Sequence, residues 1–213
     1  MNEYRYADPD HRYTDPETGV LRNKLNIRDR DALMFAEAAV TAKRMQELWI
    51  SPIRITSSSA LLTTHLHLFQ DIYEWAGEQR AVEINKGGKQ FFPTSHFDSA
   101  LRYTDSLLAE YRHIDTEDRA ALASKLAEIL DTINHLHLFR EGNGRTQREV
   151  IRSLATENGW KLDLNPPDDA GIYKRYMDGT INGDTEALAG LLYDILYKDG
   201  TTGSNRLQSG TSQ

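Results

Sequence analysis

The stretch NHLHLFREGNGRTQR, residues 134–148, decides how the surrounding chain can fold. Apolar residues at helical spacing lead into it, and the run Glu-Gly-Asn-Gly at 141–144 interrupts them. Each glycine costs about 1 kcal/mol relative to alanine inside a helix, but glycine allows sharp bends and close approaches of the backbone. Helical periodicity then resumes and ends at Asn158-Gly159. The pattern predicts a helix, a tight loop and a second helix over 144–158.

The beginning of that second helix has the features of an anion site. A helix N-terminus presents unpaired N–H groups and the positive end of the helix dipole. Arg145, Arg148 and Arg152 share one face of the helix, and guanidinium groups bind phosphate oxygens well. The pattern therefore predicts a polyphosphate site. His137 at its mouth would titrate near neutral pH, and Glu141 could hold Mg²⁺.

The string HLHLF occurs twice, at 65–69 and at 135–139. Overlaying the two copies aligns almost nothing else, which excludes an internal repeat. In the first copy His65 shares a helical stripe with Leu61 and Leu68, and the stripe continues to Trp75. We interpret His65 as a core histidine with satisfied hydrogen bonds, inside one helix that reaches Trp75.

Most of the remaining chain also has helical periodicity. Further helices are predicted at 29–48, at 184–197, and after the breaker NPPDD at 165–169. The exception is RAVEINKGGKQFFP, residues 80–93, which is typical of a two-stranded hairpin turning at Gly-Gly. The sequence thus predicts an all-α bundle with one small hairpin. The inward face of the first helix is predicted to comprise Leu33, Ala36, Val40 and Leu48.

Composition narrows the classes of function. The chain has 213 residues and a net charge of −7, which argues against general nucleic-acid binding. It has no cysteine, which excludes disulfides and thiolate metal sites. No secretory signal or membrane-spanning run is evident. We expect one domain over 1–198 with an N-terminal arm at 1–28, a flexible tail at 199–213, and a cytoplasmic location, with delivery into another cell as an alternative.

The motif HLFREGNGRTQR at 137–148 resembles the signature of the Fic family, H-P-F-x-[D/E]-G-N-G-R-x-x-R. It meets eight of the nine specified positions. HLHLFQDIYEWAGEQR at 65–80 is similar to the upstream helix of that family, and VEINKGGKQF at 82–91 falls where the family has its flap hairpin. YTDPETGVLRNKLNI at 13–27 resembles the N-terminal segment of bacterial Fic toxins. The resemblance implies the Fic fold over about residues 4–197.

Members of the Fic family transfer AMP from ATP to a hydroxyl of a target protein. The resemblance implies that His137 is the general base, that Phe139 anchors the loop, and that Glu141 holds Mg²⁺. ATP would be the co-substrate. The resemblance assigns the phosphates to an anion hole at Gly142, Asn143 and Gly144, with the β-phosphate on Arg145 and the γ-phosphate on Arg148.

The resemblance also implies partners. An extended segment of the target, by family analogy a type II topoisomerase subunit, would add to the flap. Many Fic proteins carry an inhibitory helix with the pattern [S/T]-x-x-x-E-[G/N]. SLATEN at 153–158 fits it, but within the motif helix, where Glu157 cannot fold back onto Arg148. The resemblance then implies a toxin restrained by a separate small antitoxin. The flap residues are Val82, Glu83, Ile84, Asn85, Lys86, Gly87 and Gly88.

Some alternatives stay open. Doc-type relatives transfer the γ-phosphate and carry lysine at the second glycine of the motif, so Gly144 favours AMP transfer. Other relatives transfer groups from UTP or CDP-choline, and a non-catalytic docking module is a further alternative. A metal hydrolase that uses His135, His137 and Glu141 is disfavoured, because the sequence has no His-Glu-x-x-His motif and no second His/Asp cluster that can be placed beside them. Leu138, in place of the motif proline, predicts a looser His137, because proline restrains the backbone.

Overall fold

The computed structural model describes residues 4–6, 8–86 and 89–198. The predicted turn at Gly87 and Gly88 and the predicted tail at 199–213 lie outside the described residues. The predicted all-α fold with one small sheet is confirmed. Its helices in the described chain are α1 (Arg30–Ile50), α2 (Ser59–Phe69), α3 (Phe97–Tyr111), α4 (Arg119–Leu136), α5 (Asn143–Glu157), α6 (Ala170–Asn182) and α7 (Thr185–Ile195).

Aspartates fix where several helices begin. The side chain of Asp29 accepts a hydrogen bond from Ala32 N at the start of α1, and Asp118 accepts one from Ala121 N at the start of α4. Asp169 and Asp184 cap α6 and α7 in the same manner. A carboxylate at this position satisfies an orphan N–H and interacts favourably with the helix dipole. The helices predicted at 29–48, 144–158 and 184–197 are each present within about two residues at either end.

The prediction of one helix through Trp75 is wrong, because α2 ends at Phe69. The chain turns after Gln70 and folds back on α2, where the N–H of Gly77 donates to His65 Nδ1 over 2.8 Å. Trp75 is nevertheless buried. Trp75 keeps the helical spacing of the apolar stripe, although it lies beyond the end of α2, because the returning segment packs in the same core.

The sheet has three strands rather than the two predicted. β2 (Ile84–Lys86) and β3 (Lys89–Gln90) form the expected hairpin. The N-terminal strand β1 (Tyr4–Tyr6) pairs antiparallel with β2, so the strand order is β1-β2-β3. The N-terminal arm therefore extends the flap by one strand.

Two apolar clusters form the core. The larger one joins α3, α4, α5 and α7, and the smaller one joins α1 and α2 to the N-terminal arm through Tyr13, Tyr73 and Trp75. Phe139 belongs to the larger cluster and Phe69 to the smaller, and the ring of His65 stacks between them, with centroid distances of 3.9 and 4.7 Å. The loop after α4 therefore lies where the two clusters meet.

Candidate active site

His137 stands at the point where α4 stops. Its N–H makes a last helical bond to Ile133 O over 3.2 Å, and its backbone is left-handed, with φ 45° and ψ 58°. This conformation costs a non-glycine residue roughly 1–2 kcal/mol and is concentrated at functional sites. The His137 carbonyl accepts a bond of 2.9 Å from Arg80 Nε. The strained backbone is thus held from outside the motif.

The imidazole of His137 has a defined tautomer. Nδ1 lies 3.2 Å from Asn134 O, and a carbonyl can only accept, so in the neutral imidazole Nδ1 carries the proton and Nε2 the lone pair. The ring of Phe91, which follows β3, stacks on the imidazole with centroids 3.8 Å apart. His137 is only 6% exposed. Nε2 is therefore the atom that can accept a proton, beside the flap.

Arg80 joins the flap to the loop of His137. In addition to the His137 carbonyl, its guanidinium donates to Val82 O over 2.7 Å and to Phe92 O over 2.5 Å, at the two ends of the hairpin. The backbone N–H of Arg80 donates to Leu138 O over 2.9 Å. Leu138 itself is buried in the larger cluster. The backbone at Leu138, where the motif of the family has proline, is thus restrained by Arg80 and by packing.

The side chain of Asn143 closes the loop. Its Oδ1 accepts from Phe139 N over 2.9 Å and its Nδ2 donates to Phe139 O over 2.7 Å. These two bonds use Oδ1 and one of the two Nδ2 hydrogens, and they leave the backbone N–H of Asn143 as a donor at the start of α5. From α2, His65 Nε2 donates to Glu141 O over 3.0 Å while its Nδ1 accepts from Gly77. Burial lowers the pKa of His65 to about 3, so the ring stays neutral. The predicted core histidine also positions the loop.

Gly142 is required for packing and for backbone geometry. Its φ is +82°, and a Cβ at this position would lie 2.3 Å from Phe69 Cζ. The close approach that glycine permits at this position is an approach to the ring of Phe69. Gly144 differs, because a Cβ there would meet Arg148 Nη1 at 3.4 Å and the Tyr176 hydroxyl at 3.7 Å.

The N-terminus of α5 meets the requirements of an anion site. Gly142 is its N-cap and provides no side-chain hydrogen bond to the first turn. Arg145 and Arg148 follow within the first two turns. The Arg145 guanidinium pairs with Glu37 of α1, while Arg148 lies over the rings of Tyr173 and Tyr176 at 5.5 and 5.6 Å. The N-terminus of α5 thus has no side-chain cap and lies beside two arginines, one held by a carboxylate and the other by aromatic rings.

Two further residues of α5 that the sequence patterns singled out make structural contacts. Arg152 donates to Leu48 O over 2.8 Å and pairs with Glu149, so it ties α5 to the end of α1. The prediction that Arg152 belongs to the polyphosphate site is wrong. Glu157, from the stretch that matches the inhibitory pattern, accepts from Ile55 N over 2.6 Å at the far end of α5. That match is a structural contact, as its place in the motif helix predicts.

The residues around Glu141 fit a magnesium ion bound together with phosphates. Glu141 Oε1 accepts from Gly142 N over 2.9 Å and lies 3.8 Å from Arg145. No group of three or more His, Cys, Asp or Glu in the described chain could hold a metal by itself. Mg²⁺ commonly binds through one or two carboxylates plus substrate phosphates and water. A single carboxylate beside a phosphate site is compatible with that mode.

Sequence reasoning missed the groups that hold the motif from a distance, namely Glu37, Arg80 and the loop contact of His65. A signal existed for the first. Glu37 and Thr41 fall at helical spacing between Leu33 and Leu48, and these four residues form the buried face of α1. The predicted inward residues Ala36 and Val40 are only half-buried. A carboxylate on a buried stripe requires a cationic or hydrogen-bonding partner.

This fold and this motif geometry define a Fic domain. The family model described as Fic/DOC family matches residues 55–155. The probable protein adenylyltransferase y4lH of Sinorhizobium fredii is 34% identical over 185 residues, which are 84% of this chain and 91% of that protein. The chain belongs to the Fic/DOC family.

Other relatives are longer or known as structures. Protein adenylyltransferase VbhT of Bartonella schoenbuchensis is 36% identical over 160 residues, but the match spans 75% of this chain and only 34% of that protein. The ADP-bound N-terminal Fic domain of a Bep effector from Bartonella quintana has a TM-score of 0.78 and 25% identity, covering 88% of this chain and 95% of that chain. The fold is therefore that of Fic domains.

Proposed function

We propose that this protein is a protein adenylyltransferase, an enzyme that transfers AMP from ATP to a Ser, Thr or Tyr hydroxyl of a target protein. One observation carries the proposal. His137, with its lone pair on Nε2, stands five residues before an N-terminus of α5 that carries Arg145 and Arg148 and has no side-chain cap. The relatives named protein adenylyltransferases support it.

The chemistry is derived from these positions. His137 Nε2 takes the proton of the target hydroxyl, and the hydroxyl oxygen attacks the α-phosphorus of ATP. The bond from that phosphorus to the oxygen bridging the α- and β-phosphates breaks, and pyrophosphate leaves. A positioned base contributes about 10²–10⁴-fold to the rate. The N-terminus of α5 with Arg145 and Arg148 stabilises the charge that develops on the leaving group.

Glu141 would hold Mg²⁺ in this scheme. The ion, when bound, would neutralise phosphate charge. The Gly142 N–H bond on Oε1 fixes the Glu141 carboxylate toward the helix end. The backbone N–H groups of Asn143 and Gly144 would bind phosphate oxygens, as in other helix-terminal anion sites.

The flap, from Val82 to Gly88, would hold the target as an added strand. Ile84 is buried and anchors it, and Glu83 bonds Thr94 and Arg80 at its base. Asn85 of β2 lies opposite Arg5 on one side and Gln90 on the other. A target segment would therefore pair with the outer edge of β3 or replace β1. Faster target labelling by a chain beginning at residue 8 would favour replacement, and an unchanged rate would favour β3.

Some finer predictions stay predictions. They are a type II topoisomerase subunit as the target, a small antitoxin whose inhibitory glutamate reaches Arg148, and a cytoplasmic location. Within the described helices none is long and apolar enough to cross a membrane. Arg148 forms no ion pair among the described residues, so a carboxylate from a partner would find it without an acidic competitor.

The proposal is tested with ATP labelled at the α- or at the γ-phosphate. The protein, Mg²⁺ and a cell lysate are incubated with each label, beside a His137→Ala control. Protein bands labelled only from the α-phosphate, and absent in the control, are expected. Bands labelled only from the γ-phosphate would overturn AMP transfer in favour of phosphotransfer.

A further inference from the structure

The first long helix of the chain sends a carboxylate into the phosphate site. α1 lies wholly before the segment that matches the family model, residues 55–155. Glu37 nevertheless belongs to its buried face and is 8% exposed. A buried carboxylate is costly unless it is paired and hydrogen-bonded. Its partners therefore indicate what it is for.

Both oxygens of Glu37 are engaged. Oε1 accepts from the guanidinium of Arg145, 108 residues away in sequence, and Oε2 accepts from the Tyr73 hydroxyl. Burial and the charge of Glu37 raise the pKa of Tyr73 well above its ordinary value, so the phenol remains a donor. The carboxylate is thus oriented from one side by Tyr73 and presents its other side to Arg145.

The guanidinium of Arg145 is enclosed on three sides. Besides Glu37, it contacts Thr41 Oγ1 from Nη1 at 3.4 Å, and its Cζ lies 4.8 Å above the ring of Phe69. Its side chain retains 22% exposure. Arginine has five N–H donors in a rigid plane, so these contacts leave donors free. The plane is fixed before any ligand arrives.

We propose that Glu37, supported by Tyr73, is a positioning residue that sets the Arg145 guanidinium for the phosphate next to the transferred one. The inference rests on the proposed function and deepens it. It divides the work of the two motif arginines. Arg145 is paired with the Glu37 carboxylate and contributes directed N–H groups, whereas Arg148, held by aromatic rings, contributes net charge.

Binding of ADP and of AMP separates this role from a general one, because AMP has no second phosphate. Dissociation constants are measured by calorimetry for wild type, Glu37→Ala and Glu37→Gln. Glu37→Ala should weaken ADP about tenfold, the scale of a lost charge-assisted hydrogen bond, and leave AMP unchanged. Glu37→Gln keeps an acceptor for Arg145 and should recover most of the ADP affinity.

The control variant is Glu47→Gln, which removes a carboxylate from the same helix. Glu47 pairs with Arg44 at 2.9 Å and lies 3.2 Å from His67, away from the motif. It should leave ADP and AMP binding unchanged. If Glu37→Ala does not fold, Tyr73→Phe, which removes only the support of Glu37, should weaken ADP about threefold and spare AMP.

Three outcomes would overturn the inference. Unchanged or tighter ADP binding in folded Glu37→Ala would make Glu37 a counter-charge rather than a positioning group. Equal weakening of ADP and AMP would indicate general loosening of the site. Wild type that binds neither nucleotide would remove the proposed function as well. Since binding needs no target, the two failures can be told apart: absent AMP transfer would sink the proposed function, while weaker ADP binding and unchanged AMP binding in Glu37→Ala would still support the role of Glu37.

Discussion

The two HLHLF strings have the same five residues and different backbones. The first, 65–69, lies inside α2, and the second leaves α4 at its third residue, where His137 turns left-handed. Burial differs accordingly. Leu66 in the first string is 46% exposed, whereas its counterpart Leu136 is 1% exposed. The histidines at the third position also have different neighbours. His67 lies 3.2 Å from Glu47, whereas His137 contacts Asn134 O and the ring of Phe91.

The residues after each string make the difference. After the second string, Asn143 reaches back to both backbone atoms of Phe139, and Gly142 supplies a left-handed turn against Phe69. After the first string, Gln70 continues as an ordinary helix end. The two strings also touch, since His65 stacks on Phe139. A short string therefore acquires its role from the residues that close on it, and its twin can serve as its support.

The sharpest test of the comparison exchanges the third histidine of each string for alanine. His137→Ala should lower the rate of AMP transfer about 10²–10⁴-fold, because it removes the proposed general base. His67→Ala should stay within about twofold, because the contact it loses is with Glu47, a partly exposed carboxylate. Initial rates of target labelling from α-labelled ATP measure both. Equal losses would refute the distinction between the strings.

The second leucines of the strings should differ in stability. Leu136→Ala leaves a cavity in the larger cluster and should cost about 2–5 kcal/mol of unfolding free energy. Leu66→Ala, at a half-exposed site, should cost less than about 1 kcal/mol. Urea denaturation with a shared slope gives the two values. A Leu66→Ala cost as large as that of Leu136→Ala would show that the exposure difference is not what matters.

The glycine that closes the second string can be tested against a glycine with open space. Gly142→Ala should cost about 1–3 kcal/mol for overpacking against Phe69 and about 1 kcal/mol for its positive φ. Gly159, with φ +76° and no atom within 4 Å of a Cβ, is the control, and its alanine variant should show only the cost of φ. Equal unfolding free energies for the two variants would contradict the contact with Phe69.

The smallest effect concerns pH and the first string. The pKa of His65 in the folded protein is about 3, below its ordinary value of 6.5. The unfolded chain therefore binds a proton that the folded chain refuses, and this site destabilises the fold as pH falls below 6.5. The loss is about 1.4 kcal/mol per pH unit.

His65→Gln removes that term and can keep hydrogen bonds. Between pH 7.5 and pH 5 its unfolding free energy should gain about 2 kcal/mol relative to wild type. Urea denaturation at each pH measures the difference, in which other titrating groups cancel. If the unfolding free energies of the two proteins change with pH in parallel, His65 binds its proton as readily in the folded protein as in the unfolded chain.

Much of the fold and of the motif could be predicted from the sequence, because the signals are local. Helical periodicity and capping carboxylates are read within a few residues of each other, and the order of groups from His137 to Arg148 is itself the signature of the family. The prediction of Fic family membership is confirmed. The roles assigned to single motif residues stay predictions.

The remainder depends on which distant residues meet. Nothing near Glu37 reveals that Arg145 will pair with it, and nothing near β2 reveals that residues 4–6 will join its edge. Arg152 has the same helical phase as Arg145 and Arg148, the proposed phosphate-binding arginines, yet its guanidinium bonds Leu48 O at the end of α1. Periodicity predicts which face a side chain occupies, whereas its partner is set by packing between elements.

Arg80 gives the molecule a mechanical property. One buried guanidinium bridges three carbonyls, at Val82, Phe92 and His137, and a planar ion bound at several points resists rotation. The two ends of the hairpin and the backbone of His137 are therefore held by the same guanidinium. The Arg80 guanidinium therefore fixes the base of the flap relative to the backbone of His137.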